Sequence, residues 1–89
     1  MTGLQIAQHA KEQLAELTGQ KADTVSALRK DEDGWHVTVV MLEMHRIPDA
    51  QDILGNYETL LDDKGVLISY ARTRRYLRQE TLQEEDRRL

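Results

Sequence analysis

The chain has no cysteine. Disulfide staples, thiolate metal sites and a cysteine nucleophile are therefore excluded, and the fold must be held by its core alone. Long apolar runs are also missing: the longest, Val39-Val40-Met41-Leu42, falls far short of the ~20 residues that cross a bilayer. The N-terminus lacks a basic region followed by an apolar one, so no secretory leader is read there. These absences lead to the expectation of a chain that stays in the cytoplasm. Negative charge is missing locally as well. The protein carries a net charge of −4, which weighs against whole-surface attraction to nucleic acid or anionic lipid, yet no acidic residue occurs between Gly65 and Gln79, where Arg72, Arg74, Arg75 and Arg78 fall.

What is present suits one small domain. Eighty-nine residues are enough for a single core, and 39% hydrophobic with 31% charged residues lies in the range of folded soluble chains. Leu4, Ala7, Ala10, Leu14 and Leu17 recur at three- and four-residue steps, which predicts an amphipathic helix over residues 3–18 with Gln5, Gln8, Lys11, Glu12 and Glu16 outside. Thr2 and Gln5 fit a capping box and Gly19 a C-terminal stop.

From Thr24 the period changes. Residues 25–29 read as a short strand, and Asp31-Glu32-Asp33-Gly34 supplies turn chemistry. Trp35, Val37, Val39 and Met41 then alternate with His36, Thr38 and Val40, which predicts the central strand. Pro48 has no backbone donor, so Arg46 to Asp52 is expected to be a loop. Asn56 to Leu61 reads as a third strand, Asp62-Asp63-Lys64-Gly65 as a tight turn and Val66 to Arg78 as a long fourth strand. The expected fold is α+β, an N-terminal amphipathic helix packed on a four-stranded antiparallel meander over residues 1–78. Residues 79–89 have only Leu82 and Leu89 as apolar anchors and are expected to form a short helical or disordered tail.

Few residues suggest chemistry. His9, His36 and His45 do not form a helical pair, and His36 and His45 are expected on opposite strand faces, so no metal site is expected. Asp49 and Asp52 near Glu58 invite a general acid and base pair, but no nucleophile, phosphate loop or oxyanion motif accompanies them. Asp49 is better read as turn chemistry after Pro48, and Asp52 as a solvated loop charge or a partner of Arg46. Trp35 is expected in the core, against Leu14 or Leu17, with an exposed interface anchor as the alternative.

The segment from Tyr70 to Arg78 is the most informative. Strand alternation puts Tyr70, Arg72, Arg74, Tyr76 and Arg78 on one face. Such a basic aromatic stripe could grip an acidic protein surface or stack on single-stranded nucleic acid. The plainer alternative is cross-strand pairing with acids of the neighbouring strand, such as Glu58, on a solvated face. Arg46 and Asp49, on the loop, are the second candidate contact.

Several motifs then join in order: Gly34-Trp35-His36-Val37-Thr38-Val39 through Glu43, Arg46-Ile47-Pro48-Asp49, Asp52-Ile53-Leu54, Asn56-Tyr57-Glu58, Leu61-Asp62, Gly65-Val66-Leu67 and Tyr70-Ala71-Arg72 to Arg75-Tyr76-Leu77-Arg78. Over about residues 25–78 the chain resembles the gas vesicle protein O family. The resemblance implies a non-enzymatic accessory role in gas vesicle formation and no cofactor. It implies partners among the other gas vesicle accessory proteins and the small shell protein, and no catalytic residues. A small nucleic-acid-binding regulator using the Tyr/Arg stripe is the alternative carried forward.

Overall fold

The computed structural model describes residues 1–79. The tail expected beyond Gln79 lies outside the described residues. Helix α1 runs Gly3–Thr18, and its ends are set by the residues that the sequence indicated. The Thr2 side chain accepts from the Gln5 amide while the Gln5 side chain accepts from the Thr2 amide at 2.9 Å. These two bonds satisfy donors that a helix start otherwise leaves open. Gly19 ends the helix at φ 71°, a left-handed conformation in which its N–H reaches the Ala15 carbonyl.

The helix buries Ile6, Ala10 and Leu14, which lie at four-residue steps along one face. This corrects the expected stripe: Leu4 is 80% exposed and Leu17 61%. Gln13 accounts for the rotation. Its amide donates to the Gly65 carbonyl at 2.7 Å and its carbonyl oxygen accepts from the Leu67 amide at 2.9 Å. Two bonds to main chain fix which face of the helix meets the sheet, and hydropathy alone does not report them.

The sheet follows as β1 (Lys21–Asp31), β2 (Gly34–Met44), β3 (Ile53–Leu61) and β4 (Leu67–Leu77), with a 3-10 turn at Asp49–Gln51. Its order is β1-β2-β3-β4, and every neighbouring pair is antiparallel. The fold is thus the α+β helix on a four-stranded meander that the patterning indicated. β1 is far longer than the predicted 25–29, because pairing with β2 from Lys21↔Leu42 to Asp31↔Gly34 makes strand out of polar residues. Most of β1 is exposed, so it has no apolar alternation to read.

The core lies between the helix and one sheet face: Ile6, Ala10 and Leu14 against Val37, Val39, Met41, Tyr57 and Leu61. Trp35 is only half-buried at its margin, near Gly3 at the start of the helix and under the Lys30 ammonium, 5.4 Å from the ring centroid. It packs against the core cluster from that margin, where the register sets it beside the β1–β2 turn, opposite Leu61 and Lys30. Among the described residues no helix is long and apolar enough to cross a membrane.

Candidate functional site

The two turns at one end of the sheet gather Asp31, Glu32, Asp33, Asp62 and Asp63 around Lys30. Asp62 builds the second turn by accepting from the amides of Lys64 and Val66, each at 2.9 Å. The arginines of β4 lie away from this acidic end. They do not share one face. The β3–β4 register runs Tyr57↔Arg72, then Asn56↔Arg74, so Thr73 is an unpaired extra residue. A bulge of one residue inverts the parity of everything beyond it.

Tyr70 and Arg72 consequently lie on the helix side with Tyr57, and Arg75 joins them opposite Gly55. Arg74 and Tyr76 lie on the other face with Asn56 and Leu54. The expected single stripe of Tyr70, Arg72, Arg74, Tyr76 and Arg78 is corrected to two groups.

On the helix side the focus is Glu43, which was not foreseen. A second bulge, between Leu42↔Leu54 and Met44↔Ile53, releases Glu43 from the β2–β3 ladder. Its side chain is only 7% exposed. One carboxylate oxygen accepts from Arg72 Nη1 at 2.9 Å, and Arg75 Nε lies 3.7 Å from the same oxygen. The other oxygen has no hydrogen-bond partner among the described residues and rests over Gly55, where any Cβ would collide with it. A glycine within a strand marks such close approaches, so Gly55 was the readable trace of this site. Burial and the Glu43 charge together raise the Tyr57 phenol above its ordinary pKa, and its hydroxyl donates to Gln20 Oε1 at 3.2 Å.

On the other face the Arg74 guanidinium lies 4.9 Å from the Tyr76 ring centroid, and the Tyr76 hydroxyl donates to Asn56 Oδ1 at 3.0 Å. Arg78 ends the strand as a strap. Its Nη2 pairs with Asp23 at 2.9 Å, its Nε with Asp52 at 3.4 Å, and its main-chain amide donates to the Asp52 carbonyl at 2.9 Å. Among the described residues Glu43 meets Arg72 and Arg75, and Asp23 and Asp52 meet Arg78, while the register places Glu58 opposite Ala71.

Asp52 is the larger surprise. Read as a solvated charge or a partner of Arg46, it is 3% exposed. It does meet Arg46, but through the main-chain amide at 2.8 Å. That amide is the main reason its carboxyl titrates below the ordinary value, against an opposing cost of burial, with the His45 charge and Arg78 adding to the lowering. Asp49 opens the 3-10 turn and accepts, through its carbonyl, from the Asp52 amide at 2.9 Å. Arg46 and Asp49 thus shape the loop that holds Asp52.

Among the described residues two groups bring metal-type donors within 4.8 Å of one another, namely His45, Asp49 and Asp52, and Asp31, Asp33 and His36. Sequence spacing pointed to neither. In both, the central carboxylate is already matched: Asp52 by the Arg46 amide and Arg78, and Asp31 by the Asp33 amide, His36 and Arg29. Those same contacts hold the Asp31 pKa below its ordinary value, with the Asp33 amide foremost. An open, mostly apolar groove of about 350 Å³ runs past Val40, Leu54 and Tyr76 on the helix-free face, bordered by Asp23 and Arg78.

These features define a small α+β domain with one helix over an antiparallel sheet, its polar groups organised as ion pairs along the last strand. The family model described as "Gas vesicle synthesis protein GvpO" matches residues 1–81, and the chain belongs to that family. It is 50% identical over 66 residues to gas vesicle protein O of Streptomyces sp. (strain CB03234), covering 74% of this chain and 52% of the relative. It is 31% identical over 75 residues to gas vesicle protein O1 of Halobacterium salinarum, covering 84% of this chain and 63% of the relative. To gas vesicle protein O of Haloferax mediterranei it is 40% identical over 52 residues, covering 58% and 37%. The matched part of the chain thus spans between 37% and 63% of these relatives. No solved structure matches it.

Proposed function

We propose that the chain is an accessory protein of gas vesicle assembly that acts through contacts with other gas vesicle proteins and not through catalysis. Its membership of the gas vesicle synthesis family over residues 1–81 carries this reading. The contact groups are Tyr70, Arg72, Arg74 and Tyr76 on β4 and the Arg46 and Asp49 loop, which Arg78, one residue beyond the strand, holds through Asp52. Other accessory proteins and the shell protein are the partners. The place of action is the cytoplasm, in association with the vesicle. A shell subunit with a large apolar surface benefits from transient cover before it joins the wall, and Val66, Ile68 and Tyr70 leave apolar surface exposed on and beside β4.

The nucleic-acid reading has no observation in its favour. Its continuous stacking platform requires one face, and the Thr73 bulge divides the stripe between two. The test is a clean deletion of the coding sequence in a host that makes gas vesicles, read by buoyancy and electron microscopy and repaired by re-supplying the chain. Absent or malformed vesicles are expected. Normal vesicles in normal number would end the assignment.

A further inference from the structure

A meander with the order β1-β2-β3-β4 leaves two strands with one unpaired side each. Both edges, β1 and β4, are 11 residues long. An unpaired row of N–H and C=O groups is a template for another strand, and proteins usually blunt it. Charge treats the two edges differently. β1 carries both signs, with Lys21, Arg29 and Lys30 beside Asp23 and Asp31. β4 carries Arg72, Arg74 and Arg75 and no acid.

The start of β4 is closed, because the Gln13 side chain takes the Leu67 amide and the Gly65 carbonyl. Beyond Leu67 no described element lies outside β4. The Arg72 and Arg75 side chains are 48% and 53% exposed and share the single carboxylate of Glu43, so this pair retains one unit of positive charge. Next to them, Ile68 and Tyr70 are exposed apolar groups on the same strand.

A second copy of the chain is a poor occupant. Antiparallel pairing of β4 with β4 would bring arginines against arginines, and like charges across a ladder are destabilising. Pairing with a neighbour's β1 would meet three cations and two carboxylates, of which Asp23 already pairs with Arg78 and Asp31 with Arg29. The geometry points to a different occupant. The open edge of β4 takes an acidic extended segment of another protein as a fifth strand, with main-chain bonds to β4, carboxylates at Arg72 and Arg75, and an apolar side chain at Ile68 and Tyr70. Antiparallel addition, which continues the sheet, places the partner's acidic residues before its apolar ones in sequence. As to which protein brings the segment, the inference rests on the assembly reading above. The surface itself is tested without it.

The probe is a synthetic peptide of alternating Glu and Val, about as long as β4, added to the full chain. Amide hydrogen exchange is followed residue by residue. Slower exchange is expected between Ser69 and Arg75, with β1 unchanged. A peptide with Lys in place of Glu should bind more weakly by roughly tenfold or more. The Glu peptide N-methylated at alternate residues should lose binding, since methylation removes the main-chain donors that strand addition needs. No binding, protection on β1, or equal binding of the N-methylated peptide would each overturn the proposal. Normal vesicles in the deletion strain would instead overturn the assembly reading and leave the peptide result standing.

Discussion

The two ends of the arginine run on β4 have opposite balances of charge. At Arg78 one guanidinium serves two carboxylates, Asp23 and Asp52, and ties β4 to β1 and to the loop before β3. At Arg72 and Arg75 two guanidinium groups serve one carboxylate, Glu43. The first arrangement uses its cation inside the fold. The second retains a cation at the edge of the sheet. Residues that look alike in sequence are thus divided by a one-residue bulge at Thr73 into a structural strap and an exposed contact.

The largest effect should come from breaking the strap. Arg78→Glu would set a third negative charge beside Asp23 and the buried Asp52, and removing the cation of a buried pair is costly. Because Arg78 is itself 32% exposed, the expected loss is roughly 2–4 kcal/mol, read from the urea midpoint. A midpoint near that of the unmodified chain would show that Arg78 belongs with the spare arginines.

Gly55→Ala sharpens the other end. Its Cβ would take the place of the Glu43 carboxylate, which must swing out and leave Arg72 and Arg75 unmatched. A stability loss of roughly 1–3 kcal/mol is expected, the range of an overpacking change. The same denaturant series measures it, and no loss would mean that Glu43 is not held over Gly55.

The smallest effect is one of pH. The Asp52 carboxyl titrates below its ordinary value in the folded chain. Between the folded and unfolded pKa values the unfolded chain binds more protons, so stability rises with pH there. This contribution is complete above the unfolded value of about 3.9 and is lost as pH falls below it towards the folded value. Asp52→Asn keeps an oxygen for the Arg46 amide and removes the titration. Thermal melts between about pH 5 and 2 should show a shallower acid decline in the variant. An equal decline would remove Asp52 from the account.

Much of the fold was legible because its signals are local. The capping box at Thr2 and Gln5, the alternation of Val37, Val39 and Met41, and the Asp62 to Gly65 turn depend on residues close in sequence. The site was less legible because its parts come together across strands. The bulges at Glu43 and Thr73 leave no mark in composition, yet they decide which face each later side chain takes. Asp23 and Glu43 gave no sign of their arginine partners in the sequence, and Asp52, read as a solvated charge or a partner of Arg46, also takes Arg78. Gln13 gave no signal in the sequence, yet its two bonds to Gly65 and Leu67 hold the helix with Ile6, Ala10 and Leu14 inward and Leu4 and Leu17 outward.

The division between strap and contact is tested most directly in a gas vesicle host that lacks its own copy of the protein. The chain supplied there carries Glu43→Gln, Arg72→Gln and Arg75→Gln together, so that the buried carboxylate and both guanidinium groups lose their charge at once and none is left unpaired. The account predicts that this chain accumulates and melts within about 1 kcal/mol of the unmodified one, while vesicles are absent or malformed. A folded triple variant that restores normal vesicles in normal number would contradict it.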